Sequence, residues 1–336
     1  MIKQKIFIIL FMTYLNLYAY ETPKNLVWEM NSNELYDWCV SHSFVTNEMI
    51  LIGCKWGSQG KFAFIDKNGF LINRISLVDD RLNGTVAQTK SHLILGNYIF
   101  DKFESRDNLK IIKTLPYKFR HILVLGYDFI ATDSQNVVRY FDRNLNIKYE
   151  IYQTDEIKSI LKKDETLLVL VENEGLYKYD LKGNLIDKKE INAKFIDFLA
   201  FDDTFFALEE KYFYQNFQTT REIKLIKYDY DGHKIFEKIV SSDSSRNEVK
   251  IVKFNENLLF ITSNENGINL IEFNQNGDEI DKNIAYGYPK ETTINTAVKL
   301  DNGDILLGGT INYNALFIKI SADLPLGKQK IRPFDE

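Results

Sequence analysis

The side chains that could do chemistry are few and poorly spaced for it. Four histidines, His42, His92, His121 and His233, are spread over 336 residues with no H-x-x-x-H or H-E-x-x-H spacing. That spacing sets two ligands on one helix face around a metal. Asp229-Tyr230-Asp231-Gly232 has the opening of a calcium loop, but the later ligands and the closing glutamate are missing, so a turn accounts for it better. The acidic pairs Asp79-Asp80, Asp202-Asp203 and Glu209-Glu210 fall in or beside predicted turns, where solvated carboxylates are ordinary. No G-x-S-x-G elbow is present, and chain order alone does not define a Ser-His-Asp triad. Gly57-Ser58-Gln59-Gly60-Lys61 has the end of a phosphate-binding loop. The full pattern needs Gly where Lys55 stands, Ser or Thr where Phe62 stands, and a helix after the strand. Nucleotide binding at Gly57–Lys61 is therefore a weaker alternative, and no metal or cofactor is expected.

Two cysteines, Cys39 and Cys54, complete the reactive set. They flank a predicted turn near Thr46-Asn47, roughly opposite each other in one hairpin. Cross-strand neighbours come close enough for a disulfide where the pair is not hydrogen-bonded. The alternative is two separate buried thiols. An oxidising compartment favours the bridge, and the amino terminus points to one. Lys3 and Lys5 precede an apolar run from Ile6 to Tyr18 that ends at Leu17-Tyr18-Ala19. This has the form of a secretory signal peptide over residues 1–19, and the run is short for a membrane anchor. No Cys follows it to accept a lipid. A periplasmic or secreted bacterial protein is expected, with no stable membrane insertion after cleavage.

The elements that must position these residues are repeats. A strand ending in an aromatic or aliphatic residue, then Asp or Asn, then a turn, recurs at Asp66, Asp101, Asp142, Asp180, Asp229, Asn274 and Ser321. A period near 40 with strand content throughout predicts a β-propeller, one blade per repeat. The expected fold is all-β, a single domain over residues 20–336 with seven four-stranded blades. The predicted blades lie at about 35–77, 83–115, 119–153, 157–192, 195–240, 249–284 and from 293 onward. The last copy lacks a fourth strand, because Pro325 and Gly327 interrupt the chain after Ile320. The segment Asn25–Met30 is expected to supply it and close the ring; the alternative is Gln329–Pro333. Closure removes the unpaired edges of an open stack.

In such a ring, the loops after each second and each fourth strand share one face. That face collects Trp56, Lys61, the insertion Lys211–Glu222 with Tyr212, Tyr214 and Phe217, and the residues Tyr288 and Tyr313. Exposed aromatics among polar loops form a candidate recognition surface; the plainer explanation is an extended hairpin that covers blade edges. The net charge is −5 and no basic block stands out, so nucleic acid is not an expected partner.

The strand–[FY]-D-x-x-G-[ND]–strand copies resemble the degenerate repeats of secreted bacterial propellers of the quinoprotein-like and WD40-like superfamily. The resemblance implies a propeller in a group that holds both enzymes and binding scaffolds. The A-x-D-x-x-[TS]-G-x-x-x-W signature of its quinone-dependent members is missing here, which weakens the enzyme branch. The expected function is an extracytoplasmic binding or scaffold protein, monomeric, that recognises an envelope protein or peptide. The alternative is a lyase or hydrolase working in the central pocket. Convergent His, Arg and carboxylates in the channel would favour the enzyme, and an apolar or plugged channel the scaffold. If the amino-terminal strand closes the ring, deleting residues 20–31 lowers the melting temperature sharply in a thermal scan, whereas an unchanged value removes that segment from the fold.

Overall fold

The computed structural model describes residues 42–45, 49–56, 59–66, 71–78, 85–101, 109–191, 193–215, 218–243, 249–264, 267–285, 292–311 and 314–326. Among them the chain forms seven antiparallel sheets whose strands neighbour one another in sequence order. The sheets span 42–78, 86–114, 119–152, 157–190, 195–243, 249–285 and 292–320. Their first strands meet in a closed circle in which the seventh sheet touches the first. This is a seven-bladed propeller, and the blade limits are those the repeats predict to within a few residues.

The second strand of each blade reads as an unbroken apolar run because both its faces are covered. In blade 4, Leu167, Val169 and Val171 face blade 3 while Leu168 and Leu170 face blade 5. In blade 6, Leu258 and Phe260 face blade 5 while Leu259 and Ile261 face blade 7. The core is therefore seven separate clusters, one at every junction between neighbouring blades. The ring-closing junction packs Ile50, Ile52, Ala63 and Ile65 of blade 1 against Leu306 and Phe317 of blade 7. Next to it, the Ser43 and Thr296 hydroxyls are hydrogen-bonded at 2.7 Å. The seventh blade has three strands among the described residues. Both segments expected to supply a fourth, Asn25–Met30 and Gln329–Pro333, lie outside those residues, as does the signal segment.

The recurring acid is a turn device. Asp142 Oδ1 accepts the amides of Asn144 and Asn146, Asp180 Oδ1 those of Lys182 and Asn184, and Asn274 Oδ1 those of Asn276 and Asp278. Asx side chains do this because their short carbonyl reaches amides two and four residues on. The fourth residue of the turn then takes a positive φ, which glycine adopts without a Cβ penalty: Gly183 at +88°, Gly232 at +78° and Gly277 at +83°, with Leu145 in the equivalent place at +63°. These glycines also bring the blades together. A Cβ on Gly277 would sit 2.7 Å from the Phe236 ring on the outer strand of blade 5, and one on Gly183 2.8 Å from the Tyr149 ring on that of blade 3.

Of the two readings of the insertion Lys211–Glu222, the extended hairpin is the one formed: the second and third strands of blade 5, Thr204–Gln215 and Gln218–Asp229, stay paired from Thr204↔Asp229 to Gln215↔Gln218. The register of the first hairpin, His42↔Gly53 to Val45↔Ile50, is offset by two from the one that would set Cys39 opposite Cys54; Cys39 lies outside the described residues. Gly277→Ala should cost about 2 kcal/mol, from left-handed strain of about 1–2 kcal/mol plus the Phe236 overlap. It is read as a lower urea midpoint, and a midpoint like that of the wild type would show that the turn adapts.

Candidate functional site

Two places are released from the repeat, the tip of the blade 5 hairpin and the inner channel. At the hairpin, the first strand of blade 5 stops pairing at Phe195↔Glu209, and the outer strand stops at Arg221↔Asp243. Beyond these points, among the described residues, the two strands continue as a ribbon paired only with each other. Its base is tied by a charged cluster: Arg221 Nε is 2.8 Å from Glu210 Oε2, Lys194 Nζ is 2.5 Å from Glu210 Oε1, and Tyr212 Oη donates to Glu210 Oε2 at 3.2 Å. The Arg221 and Glu210 side chains are 8% and 6% exposed. Burial alone would raise the Glu210 carboxyl, but hydrogen bonds from Lys194 and Arg221 outweigh it and hold the group below its ordinary range. Glu210 is thus a fixed carboxylate rather than half of an acid/base pair.

Above this base, Tyr212, Phe213 and Tyr214 are 47%, 43% and 70% exposed. Strand alternation puts Tyr212 and Tyr214 on one face of the ribbon and Phe213 on the other. Lys194 lies 5.5 Å from the centre of the Tyr212 ring, a cation–π contact that steadies it. Of the residues expected at a recognition surface, the structure brings these two tyrosines together. Trp56 ends the second strand of blade 1 opposite Gln59. Lys61 lies inside the third strand, Gln59–Asp66, paired with Cys54 and Ser76. The strand-to-helix junction of a phosphate loop is therefore not formed there. Phe217, Tyr288 and Tyr313 lie outside the described residues.

In the channel, register makes one position equivalent in all seven blades. In blades 3, 4, 5 and 7 the first strand bulges near its start, at Arg120, Lys158, Ile196 and Asn295. Such bulges re-aim the next side chain. By pairing with the second strand, the equivalent residues are His42, Thr85, His121, Ser159, Asp197, Lys250 and Thr296. All seven are polar residue types. Each engaged side chain reaches the following blade: Thr296 bonds Ser43, Asp197 Oδ2 accepts the Ile251 amide at 2.8 Å, and His121 bonds the Ile157 backbone. Thr85 Oγ1 donates to the Phe119 carbonyl of blade 3 at 2.9 Å.

His121 of blade 3 also feels Lys250 of blade 6. Those blades are not neighbours, so the two side chains share the channel. Burial pushes the His121 imidazole down to about 4, against the raising effect of the Ile157 backbone contact; Arg120 and Lys250 add to the fall and Glu156 opposes it. Burial raises the Asp197 carboxyl despite Lys250 and the Ile251 amide. At the mouth, Arg120 holds Glu156 at 2.6 Å, while Lys158 reaches Glu156 at 2.8 Å and Glu172 at 3.1 Å. One step further in, Ile122, Leu123, Ile160, Leu161, Phe198 and Leu199 form an apolar belt joined to the junction clusters. The channel thus has a polar ring above an apolar belt. Ser159, His121 and Asp197 are not a catalytic triad, because the Asp197 oxygen is on the Ile251 amide and no hydrogen bond links Ser159 to His121. Sequence reading missed this ring. Its signal is an apolar–x–polar step that opens the first strands: Phe119-Arg120-His121, Ile157-Lys158-Ser159, Phe195-Ile196-Asp197 and Ile294-Asn295-Thr296.

The other grouping of potential ligands, Asp229, Asp231 and His233 with ligand atoms within 4.8 Å, is accounted for by its turn. Asp229 Oδ1 accepts the His233 amide, its Oδ2 meets His233 Nδ1 at 3.1 Å, and Lys178 is 2.8 Å from Asp231.

Folding stability should carry the mark of His121. The unfolded chain, with its imidazole near 6.5, takes up a proton that the folded protein refuses until about pH 4. Stability is full above pH 6.5 and falls as pH is lowered through that window, by on the order of a few kcal/mol at most. His121→Gln should flatten the pH dependence of the melting temperature between these limits. An unchanged slope would place the His121 titration near its ordinary value.

No family model matches this sequence, and no curated protein matches it. Solved structures match in shape. BamB from Moraxella catarrhalis superposes with a TM-score of 0.53 at 11% identity, covering 84% of this chain and 83% of that one. BBS1N, solved in complex with ARL6DN, gives 0.59 at 11% identity over 87% and 95%. Sqt1 of Saccharomyces cerevisiae gives 0.56 at 9% identity over 85% and 97%. At such identities the likeness is one of fold, and it agrees with the propeller built here from strand order and register.

Proposed function

We propose that this chain is an extracytoplasmic binding or scaffold protein that recognises an envelope protein or peptide through the face bearing the blade 5 ribbon. The observation that carries this reading is the ribbon itself: Tyr212, Phe213 and Tyr214 exposed in succession on strands that outrun their blade, above the ion cluster of Glu210, Arg221 and Lys194. Tyrosine suits such a role because it offers a large amphipathic surface with few rotatable bonds to order on binding. The ion cluster fixes the ribbon before any partner arrives, which lowers the entropic cost of association. A propeller of similar shape, BBS1N, was solved in complex with another protein, an analogy of fold that is consistent with the reading but does not carry it. The signal-like segment at residues 1–19 supports the compartment, and a periplasmic or secreted monomer is part of the same proposal.

The test is crosslinking in the native envelope, identification of the captured protein by mass spectrometry, and affinity measurement with the purified pair. Tyr212→Ala and Tyr214→Ala together should weaken binding by about tenfold or more, the usual effect of removing exposed aromatic anchors. Tyr214→Ala should leave the melting temperature unchanged, since that ring is 70% exposed, whereas Tyr212→Ala also gives up the hydrogen bond to Glu210 and the Lys194 contact and lowers it slightly. Equal affinity for wild type and variant would remove the ribbon from the interface.

A further inference from the structure

The ribbon of blade 5 also has an edge, and its register shows which backbone groups that edge offers. In an antiparallel strand the N–H and C=O of one residue point the same way, and the direction alternates along the chain. The Glu210 amide donates to the Lys194 carbonyl at 3.0 Å, on the side of the first strand. Tyr212 and Tyr214 share that direction, while Lys211, Phe213 and Gln215 turn towards the third strand, opposite Glu222, Thr220 and Gln218. The first strand has ended by then, its last pair being Phe195↔Glu209. Among the described residues nothing takes its place, so the amides and carbonyls of Tyr212 and Tyr214 line an open edge.

Edges elsewhere in the molecule are blunted. In each of the six blades whose outer strand is described, that strand carries an extra residue near its start: Ile72, Ile112, Lys148, Ile186, Ile235 and Ile280. Such bulges twist an edge away from flat pairing. The ribbon has none, its register running from Thr204↔Asp229 to Gln215↔Gln218 without a slip. A blade edge of a second copy is therefore a poor fit to it, whereas a single extended segment can match its spacing of donors and acceptors. The charged groups at the base are already held, Lys194 and Arg221 by Glu210 and Lys211 by Glu209, so nothing there selects a charged chain. Tyr212 and Tyr214 instead favour β-branched or aromatic side chains at alternate positions of an incoming strand, the pairs that stabilise neighbouring strands. We infer, on the reading of the ribbon as a recognition surface, that the partner binds by strand addition. An uncharged extended segment of the partner protein pairs with the backbone of Tyr212 and Tyr214, and so continues the line of Phe195–Ala200 beyond Lys194.

The probe is an end-blocked Thr-Val-Thr-Val-Thr-Val peptide, N-methylated at its valines, which keeps donors on one edge only and blocks stacking into a sheet. It is titrated into the full chain while amide exchange is followed residue by residue by NMR. In the free protein the Phe213 amide should be protected by the ribbon, and those of Tyr212 and Tyr214 should exchange freely. Saturating peptide should slow exchange at Tyr212 and Tyr214 and leave Phe213 nearly unchanged. Tyr214→Pro removes one outward N–H but no bond of the ribbon, and proline is tolerated on an edge. It should weaken peptide binding about tenfold beyond Tyr214→Ala, which keeps the N–H and loses only the ring. Where the proline variant fails to fold, the exchange pattern of the wild type decides. Slow exchange at both amides before peptide is added would overturn the inference, because the edge is then already filled. Dependence on protein concentration would identify a second copy there, and independence another part of this chain. Absence of saturation, equal binding of a peptide methylated at every residue, or equal affinities of the proline and alanine variants would also overturn it. The role of the ribbon survives those results if Tyr212→Ala and Tyr214→Ala still weaken binding of the crosslinked envelope protein, and falls as well if they do not.

Discussion

Adjacent blades of a propeller share no hydrogen-bonded ladder, so everything in this molecule depends on what each blade-to-blade junction can bury. The chain meets that constraint seven times with the same device, a second strand apolar on both faces and flanked by strands apolar on one. Because each cluster belongs to two blades, no blade has a core of its own. A cavity at Leu168 is felt in blade 5 as well as in blade 4. The same constraint explains the turns. A tight Asx turn with glycine at its fourth residue is short enough for the preceding blade's outer strand to lie against it, as Phe236 does at Gly277 and Tyr149 at Gly183. Repetition of the acid in the sequence is thus a consequence of packing, and the carboxylates bind backbone amides rather than a ligand.

Much of this was legible in the sequence because it is local. The Asp or Asn, the turn glycine and the apolar second strand all lie within one repeat of about 40 residues, and they gave the blade count and limits. What depends on register between strands was not legible. The stretch Lys211–Glu222 reads either as a recognition loop or as an extended hairpin, the plainer of the two, and the register down to Gln215↔Gln218 decides for the hairpin. The channel ring failed for another reason. A bulge of one residue changes which side chain meets the axis, and bulges at Arg120, Lys158, Ile196 and Asn295 are invisible to a reading by period. His121 therefore looked like an isolated histidine, although the fold sets it across the channel from Lys250 of a blade far along the chain.

The channel takes a form that neither simple outcome anticipated. It is not apolar, and it is not organised for acid/base work. Its histidine is held neutral by burial, its aspartate is tied to a backbone amide, and its mouth is a closed set of ion pairs. Such groups are positioned by what they do for the ring, each joining a blade to the one after it. A hydrogen bond of this kind contributes modestly, about 1 kcal/mol, but it fixes the angle between blades at the axis, where the apolar faces are narrowest.

That structural role sharpens the meaning of its exceptions. In a ring of equivalent positions, a residue that follows the pattern needs no further explanation, and one that departs from it while remaining polar does. Thr85 follows the pattern by bonding the Phe119 carbonyl of the next blade. Ser159 and Lys250 depart from it. Packing accounts for neither, since a hydrocarbon side chain at either place would join the belt formed by Leu161 and Val252 on the same strands. The Lys250 charge is met within the channel by Asp197 of the neighbouring blade, so the two groups balance one another at the axis without a hydrogen bond between them.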